Sequence, residues 1–109
     1  MASTFNNAAV QNLGTSYSTI YTAPNAVNNT AVIHGLTFAN KSNYIRYVDF
    51  KIQNSSSVDK AIVGLNIPIP GGSTLTFPAK LNLLQNEKLL AKCDTASSVD
   101  VFVSILENT

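Results

Sequence analysis

The chain has no tryptophan, one cysteine, one methionine and one histidine, and its charge is confined to seven basic and six acidic residues. Each shortage closes off a class of function. A lone Cys93 cannot form an intrachain disulfide. A metal centre draws several His, Cys or carboxylate ligands together, and a Cys–His nucleophile would have to be Cys93 with His34. By strand alternation both fall on apolar faces, His34 in phase with Val32, Leu36 and Phe38. Packing therefore explains Cys93. It also makes His34 a hydrogen-bonded core histidine or one at a barrel rim, with a pH-sensitive subunit contact as the functional alternative. No metal and no cofactor is expected. The basic residues Lys41, Arg46, Lys51, Lys60, Lys80, Lys88 and Lys92 are scattered, so nothing suggests a nucleic-acid partner. No apolar run approaches the ~20 residues of a membrane helix, so no membrane partner is expected. The N-terminus shows no basic segment followed by an apolar run, which suits synthesis and folding in a cytoplasm.

The polar share of the chain goes instead to Asn, Ser and Thr, with thirteen asparagines. Such side chains bond to nearby backbone and favour turns. Between the turns lie period-two segments: 16–23, 31–39, 44–53, 60–67, 74–77, 79–84, 88–93 and 99–106. Val48, Phe50 and Ile52 alternate with Asp49, Lys51 and Gln53; Ala61, Val63, Leu65 and Ile67 share another inward face. Pro68 and Pro70 cannot donate to a ladder, so that strand end belongs at a sheet edge. Pro70-Gly71 suits the centre of a type II turn. About eight short strands with turn signals every 8–12 residues predict an all-β protein, a single small antiparallel β-sandwich of the jelly-roll or immunoglobulin-like kind. Residues 1–15 read as an N-terminal arm ahead of a sandwich domain at 16–109. In the arm Phe5, Ala9 and Leu13 are spaced for a short helix that Gly14 would end.

Little in this pattern suggests catalysis, and no enzyme is expected. Asp49, Asp59, Glu87, Asp94, Asp100 and Glu107 fall mostly in turns or at outward positions, where carboxylates are simply solvated. Tyr17, Tyr21, Tyr44 and Tyr47 could line a sugar site, but Tyr also favours strands for packing reasons alone. The segment from Val99 to Leu106 is more telling. Val99, Val101, Val103 and Ile105 make one apolar face, yet Phe102 and Leu106 put apolar groups on the other. With Ile33 and Ile62 they form an outward set of Ile33, Ile62, Phe102 and Leu106, the predicted oligomer interface. A stable homo-oligomer is expected, with a trimer as the first choice.

Four stretches carry a family resemblance: Ile20-Tyr21-Thr22-Ala23-Pro24, the run from Thr30 to Asn40, the run from Ile67 to Leu75, and the ending from Ser97 to Glu107. From about Ser16 onward the chain resembles small virion structural proteins of tailed bacteriophages, including those of marine cyanobacteria. It departs from them at Gln85-Asn86-Glu87-Lys88, where an Ala-Gly-Asp turn is usual. The resemblance implies a β-sandwich assembled into a virion in the host bacterial cytoplasm, in contact with other virion proteins. Capsid decoration, neck, tail and baseplate are all open positions, and no catalytic residue is implied. The competing function is a carbohydrate-binding module of a phage receptor-binding structure.

Overall fold

The computed structural model describes residues 3–25, 30–78 and 80–108. Their regular structure is β-strand throughout: β1 (Ser3–Val10), β2 (Ser18–Thr22), β3 (Thr30–Asn40), β4 (Arg46–Gln53), β5 (Asp59–Ile69), β6 (Thr74–Phe77), β7 (Leu81–Leu83), β8 (Lys88–Cys93) and β9 (Val99–Asn108). One sheet runs β1-β9-β3-β6, with β7 continuing the β6 edge along β3; the other runs β2-β8-β4-β5. Every pairing is antiparallel.

The connectivity is nested. β1 pairs with β9, β2 with β8, β3 with β6 and β7, and β4 with β5. The chain is folded back once, at the β4–β5 turn, and the doubled ribbon is rolled into two facing sheets. That is the jelly-roll form of the β-sandwich, one of the two forms expected. The turn itself is shaped by Asn54, whose Oδ1 accepts the Ser56 and Val58 N–H groups at 2.9 and 3.1 Å.

Between the sheets the alternation of β4 and β9 is realised as predicted. Val48, Phe50 and Ile52 face Val99, Val101, Val103 and Ile105, all buried. Phe50 sits between Phe38 and Phe77 at ring-centroid distances of 5.1 and 5.5 Å. Cys93 is buried beside Val48, as packing required. Pro68 does lie in an edge strand, β5, and Pro70 directly follows it.

Several local expectations are corrected. Residues 3–10 form a strand, not a helix. Ala8 and Val10 turn inward while Asn7 and Ala9 alternate with them, so a four-residue spacing masked a period of two. This strand opens the roll, and Leu13 just after it is fully buried, so part of the arm is built into the sandwich. In β3 a register shift between Ile33 and Gly35 reverses the side-chain phase. Ile33 therefore faces the core and His34 faces solvent, the opposite of the sequence reading. In β5 three register shifts and a left-handed Asn66 (φ 52°) turn Leu65 outward and Gly64 inward. The turn after β5 slides by one residue: Ser73 N–H bonds to Pro70 C=O at 3.1 Å, and Gly72, not Gly71, carries the positive φ of 71°.

Glu87 was expected in a solvated turn and is instead buried. Its Oε1 accepts Leu84 N–H at 2.9 Å, and its Oε2 accepts the Lys60 ammonium at 2.7 Å. Burial alone would push this carboxyl up, but the Lys60 and Leu84 bonds outweigh it and hold it below its ordinary value of 4.5. A depressed carboxyl stabilises the fold above its unfolded value and loses that contribution as pH falls through the folded one. Glu87→Gln is expected to cost about 1 kcal/mol at pH 7, since Lys60 is half exposed and its partner's charge is lost. The cost should shrink as pH falls from 7 through the folded value and the carboxyl takes up its proton. Urea midpoints at pH 7 and across the acid range check this.

Candidate assembly surface

The register of the five-stranded sheet fixes what its outer face presents. Phe102 on β9 stands between Ala9 on β1 and Thr37 on β3, with Thr76 of β6 beyond. Leu106 stands between Phe5 and Val32, with Asn82 of β7 beyond. Ser104 lies between Asn7 and Gly35, and Asp100 beside Ala39 and Thr74. Apart from the amides of Asn7 and Asn82 and the carboxylate of Asp100, the rows are made of apolar, small and hydroxyl side chains. Phe5 is 79% exposed and Phe102 47%. Between Ala9, Thr37, Ala39 and Phe102 lies an open, almost wholly apolar groove of about 230 Å³.

In these rows the ionisable groups are Asp100 and His34. Asp100 is neutralised where it stands: the Asn12 N–H first, then the Lys41 ammonium at 3.0 Å, hold its carboxyl below the ordinary value. His34 projects at the β3 bulge, with its ring centroid 5.9 Å from that of Phe5. The histidine is thus on the exposed face and not in the core.

The outer face of the other sheet is built on the opposite plan. Asp49 stands across from Lys92 and Gln53 across from Lys88. Ion pairs join Lys92 to Asp49 at 3.8 Å and Lys51 to Asp59 at 2.9 Å. The Lys51 and Lys92 ammonium groups lie 4.0 and 4.8 Å from the centre of the Tyr17 ring. Such ion pairs are satisfied by water and by each other, though Ile62 and Leu65 of β5 are also exposed on this sheet.

A cleft of about 160 Å³ opens beside it, lined by Thr15, Tyr47, Asp49, Asn66, Lys92, Cys93 and Asp94. Its acids are committed to backbone: Asp49 accepts Asn66 N–H at 2.8 Å and Asp94 accepts Tyr47 N–H at 3.1 Å. Burial pushes the Cys93 thiol up, away from thiolate chemistry. The tyrosines do not share one surface, because Tyr21 is buried and donates its hydroxyl to Glu107 across the sandwich edge. Burial and that carboxylate both push the Tyr21 hydroxyl up. Tyr44 is 68% exposed on the β3–β4 connection, beside Arg46.

The predicted interface set is therefore divided. Phe102 and Leu106 share the outer face of the five-stranded sheet. Ile62 is exposed, but on β5 of the other sheet. Ile33 is fully buried and leaves the set. Phe5, Ala9, Val32 and Thr37 join it, and the sequence reading missed them. The alternation of Ala8 and Val10 with Asn7 and Ala9 was the signal for the first two; the β3 bulge hid Val32, while Thr37 already fell outward by alternation with Leu36 and Phe38.

No protein-family model matches the chain, and no curated protein matches it. Solved structures do share its fold. The acid-stable capsid of Helicobacter pylori bacteriophage KHP30 superposes with a TM-score of 0.57 at 11% identity, over 98% of this chain and 87% of that one. The disulfide-linked pili of Bacillus endospore appendages give 0.56 at 11% identity, over 98% and 88%. The particle of infectious bursal disease virus gives 0.57 at 11% identity, covering 96% of this chain and 30% of that one. At such identities the likeness is one of fold: this is a jelly-roll domain of a kind found in capsid and pilus proteins.

Proposed function

We propose that the chain is a structural subunit of a bacteriophage virion, non-enzymatic, which homo-oligomerises and docks on the particle through the outer face of its five-stranded sheet. The observation that carries this is the contrast between the two faces: one is laced with ion pairs, while the other sets Phe5, Phe102, Leu106 and Val32 in adjacent rows with little charge among them. Burying a Phe or Leu side chain is worth ~1.5–3 kcal/mol, so a few per subunit, repeated by symmetry, can offset the entropy lost on association. The fold it shares with a phage capsid protein and with pilus subunits favours a self-assembling role, as does the resemblance of the four stretches named above to small virion proteins. A sugar-binding role has less support, since its tyrosines are dispersed.

Light scattering tests the reading. The wild-type chain at tens of micromolar is expected to scatter as an assembly of several subunits. Phe102→Asp, which adds a charge to the centre of the face, is expected to lower that mass while leaving the β-sheet circular dichroism unchanged. A wild-type monomer would contradict the reading.

A further inference from the structure

The four free sheet edges are not alike. β5 is guarded by Pro68 and Pro70, by three register shifts and by the left-handed Asn66. β2 is five residues long with a shift between Thr19 and Tyr21. The β6–β7 edge is broken into strands of four and three residues, with Pro78 and Lys80 between them. Prolines, bulges, lysines and short lengths are the devices that keep edges from pairing with other chains. β1 has none of them. Its eight residues, Ser-Thr-Phe-Asn-Asn-Ala-Ala-Val, carry no charge, proline or glycine, and they pair with β9 without a register shift. Among the described residues no strand covers its other side.

We propose that this open edge is an assembly site whose occupant is β1 of a second copy of the chain, paired antiparallel about a two-fold axis at Asn7. The inference rests on the self-assembly reading above and adds a site to it. Self-pairing needs an edge without like charges facing each other, and an uncharged strand meets that need. The two-fold also limits the register. Outward and inward side chains alternate, so only registers that set odd positions against odd ones keep the faces of the two sheets continuous. With the axis at Asn7, Phe5 of each copy falls opposite Ala9 of the other, at the mouth of the apolar groove beside Phe102. With the axis at Asn6, Phe5 would meet Asn7 instead. The first register matches the largest exposed ring of the strand to its smallest neighbour. Phe5 leans over β9 toward His34 and is otherwise bare, so a neighbouring strand has room on its flank. The product is one sheet running through two subunits, with the two outer faces merged into a single wider surface.

Cross-linking tests the pairing. Asn7→Cys places two thiols on the axis, while the native Cys93 is buried and does not compete. Mild oxidation is expected to convert most of this variant to a disulfide-linked dimer. Asn82→Cys, exposed on the same face at the far edge, is expected to stay unlinked. Asn7→Lys, which sets two ammonium groups against each other, is expected to raise the dissociation constant of the pair at least tenfold with an unchanged circular dichroism spectrum. If the wild type is oligomeric but Asn7→Cys fails to link, or links no better than Asn82→Cys, or Asn7→Lys leaves association unchanged, the edge pairing is wrong and the assembly reading stands. A wild type that is monomeric at tens of micromolar removes both.

Discussion

Asn40→Ala is expected to lower the unfolding free energy by about 3–4 kcal/mol, out of a total of ~5–15 for a domain of this kind. Asn40 ends β3 and is 2% exposed. Its side-chain amide donates to the Tyr44, Ile69 and Pro70 carbonyls at 2.8, 2.9 and 3.3 Å. Its Oδ1 accepts the Ser42 N–H at 3.0 Å and the Ser42 hydroxyl at 2.7 Å. One side chain thus ties the β3–β4 connection to the end of β5, joining the two sheets at that end of the roll. Alanine would leave carbonyls without donors in a place water reaches poorly, and each such loss costs ~1–3 kcal/mol. Asn40→Asp should be at least as damaging, because a carboxylate would face those carbonyl oxygens with no proton to offer. Chemical unfolding followed by circular dichroism checks both. A change below about 1 kcal/mol would mean that the network is replaced by water.

Gly64→Ala is expected to cost about 2–3 kcal/mol, an unusual penalty for adding one methyl group. Gly64 lies opposite Phe50 in the β4–β5 register, and a Cβ on it would stand 2.3 Å from the Phe50 ring. A ring at a surface would swing aside. Phe50 is 2% exposed and held between Phe38 and Phe77, so its displacement strains the centre of the core. The two positions should then be non-additive. Phe50→Leu alone leaves a void, but combined with Gly64→Ala it should recover much of the second loss, and a double-mutant cycle over the four proteins measures the coupling. Additive losses would show that the ring relaxes freely.

The residues that made the fold legible are those whose period is undisturbed. β4 and β9 alternate cleanly, and the sequence placed Val48, Phe50, Ile52 and the Val99–Ile105 row correctly. The nested pairing was not legible, because strand order depends on contacts between residues such as Ser3 and Asn108 at opposite ends of the chain. Phase was lost wherever an extra residue enters a strand. His34 occupies such a place, so Val32 and Ile33 before it lie in the opposite phase to Leu36 and Phe38 beyond it; in β5 the shifts turn Gly64 inward and Leu65 outward, while Ile67 beyond Asn66 still packs on the core. β1 escaped notice for a different reason: an edge strand buries little, so Ala8 and Val10 were too weak a pattern to compete with a helical spacing. The same cause limited the reading of the assembly surface. Phe102 and Leu106 stood out against a strong inward row, while Phe5 and Val32 belonged to strands whose phase was misread, and Ile33 was assigned outward for that reason.

The most direct measurement of the central claim is hydroxyl-radical footprinting of the wild-type chain at two concentrations, one dilute and one in the tens of micromolar. Burial of the outer face of the five-stranded sheet between subunits requires oxidation of Phe5, Phe102 and Leu106 to slow several-fold at the higher concentration. Tyr44 on the β3–β4 connection and Leu65 on the opposite sheet, 68% and 62% exposed, should react equally in both samples. Phe5, Phe102 and Leu106 reacting at the same rate in both samples, or protection on the charged face alone, would contradict the account.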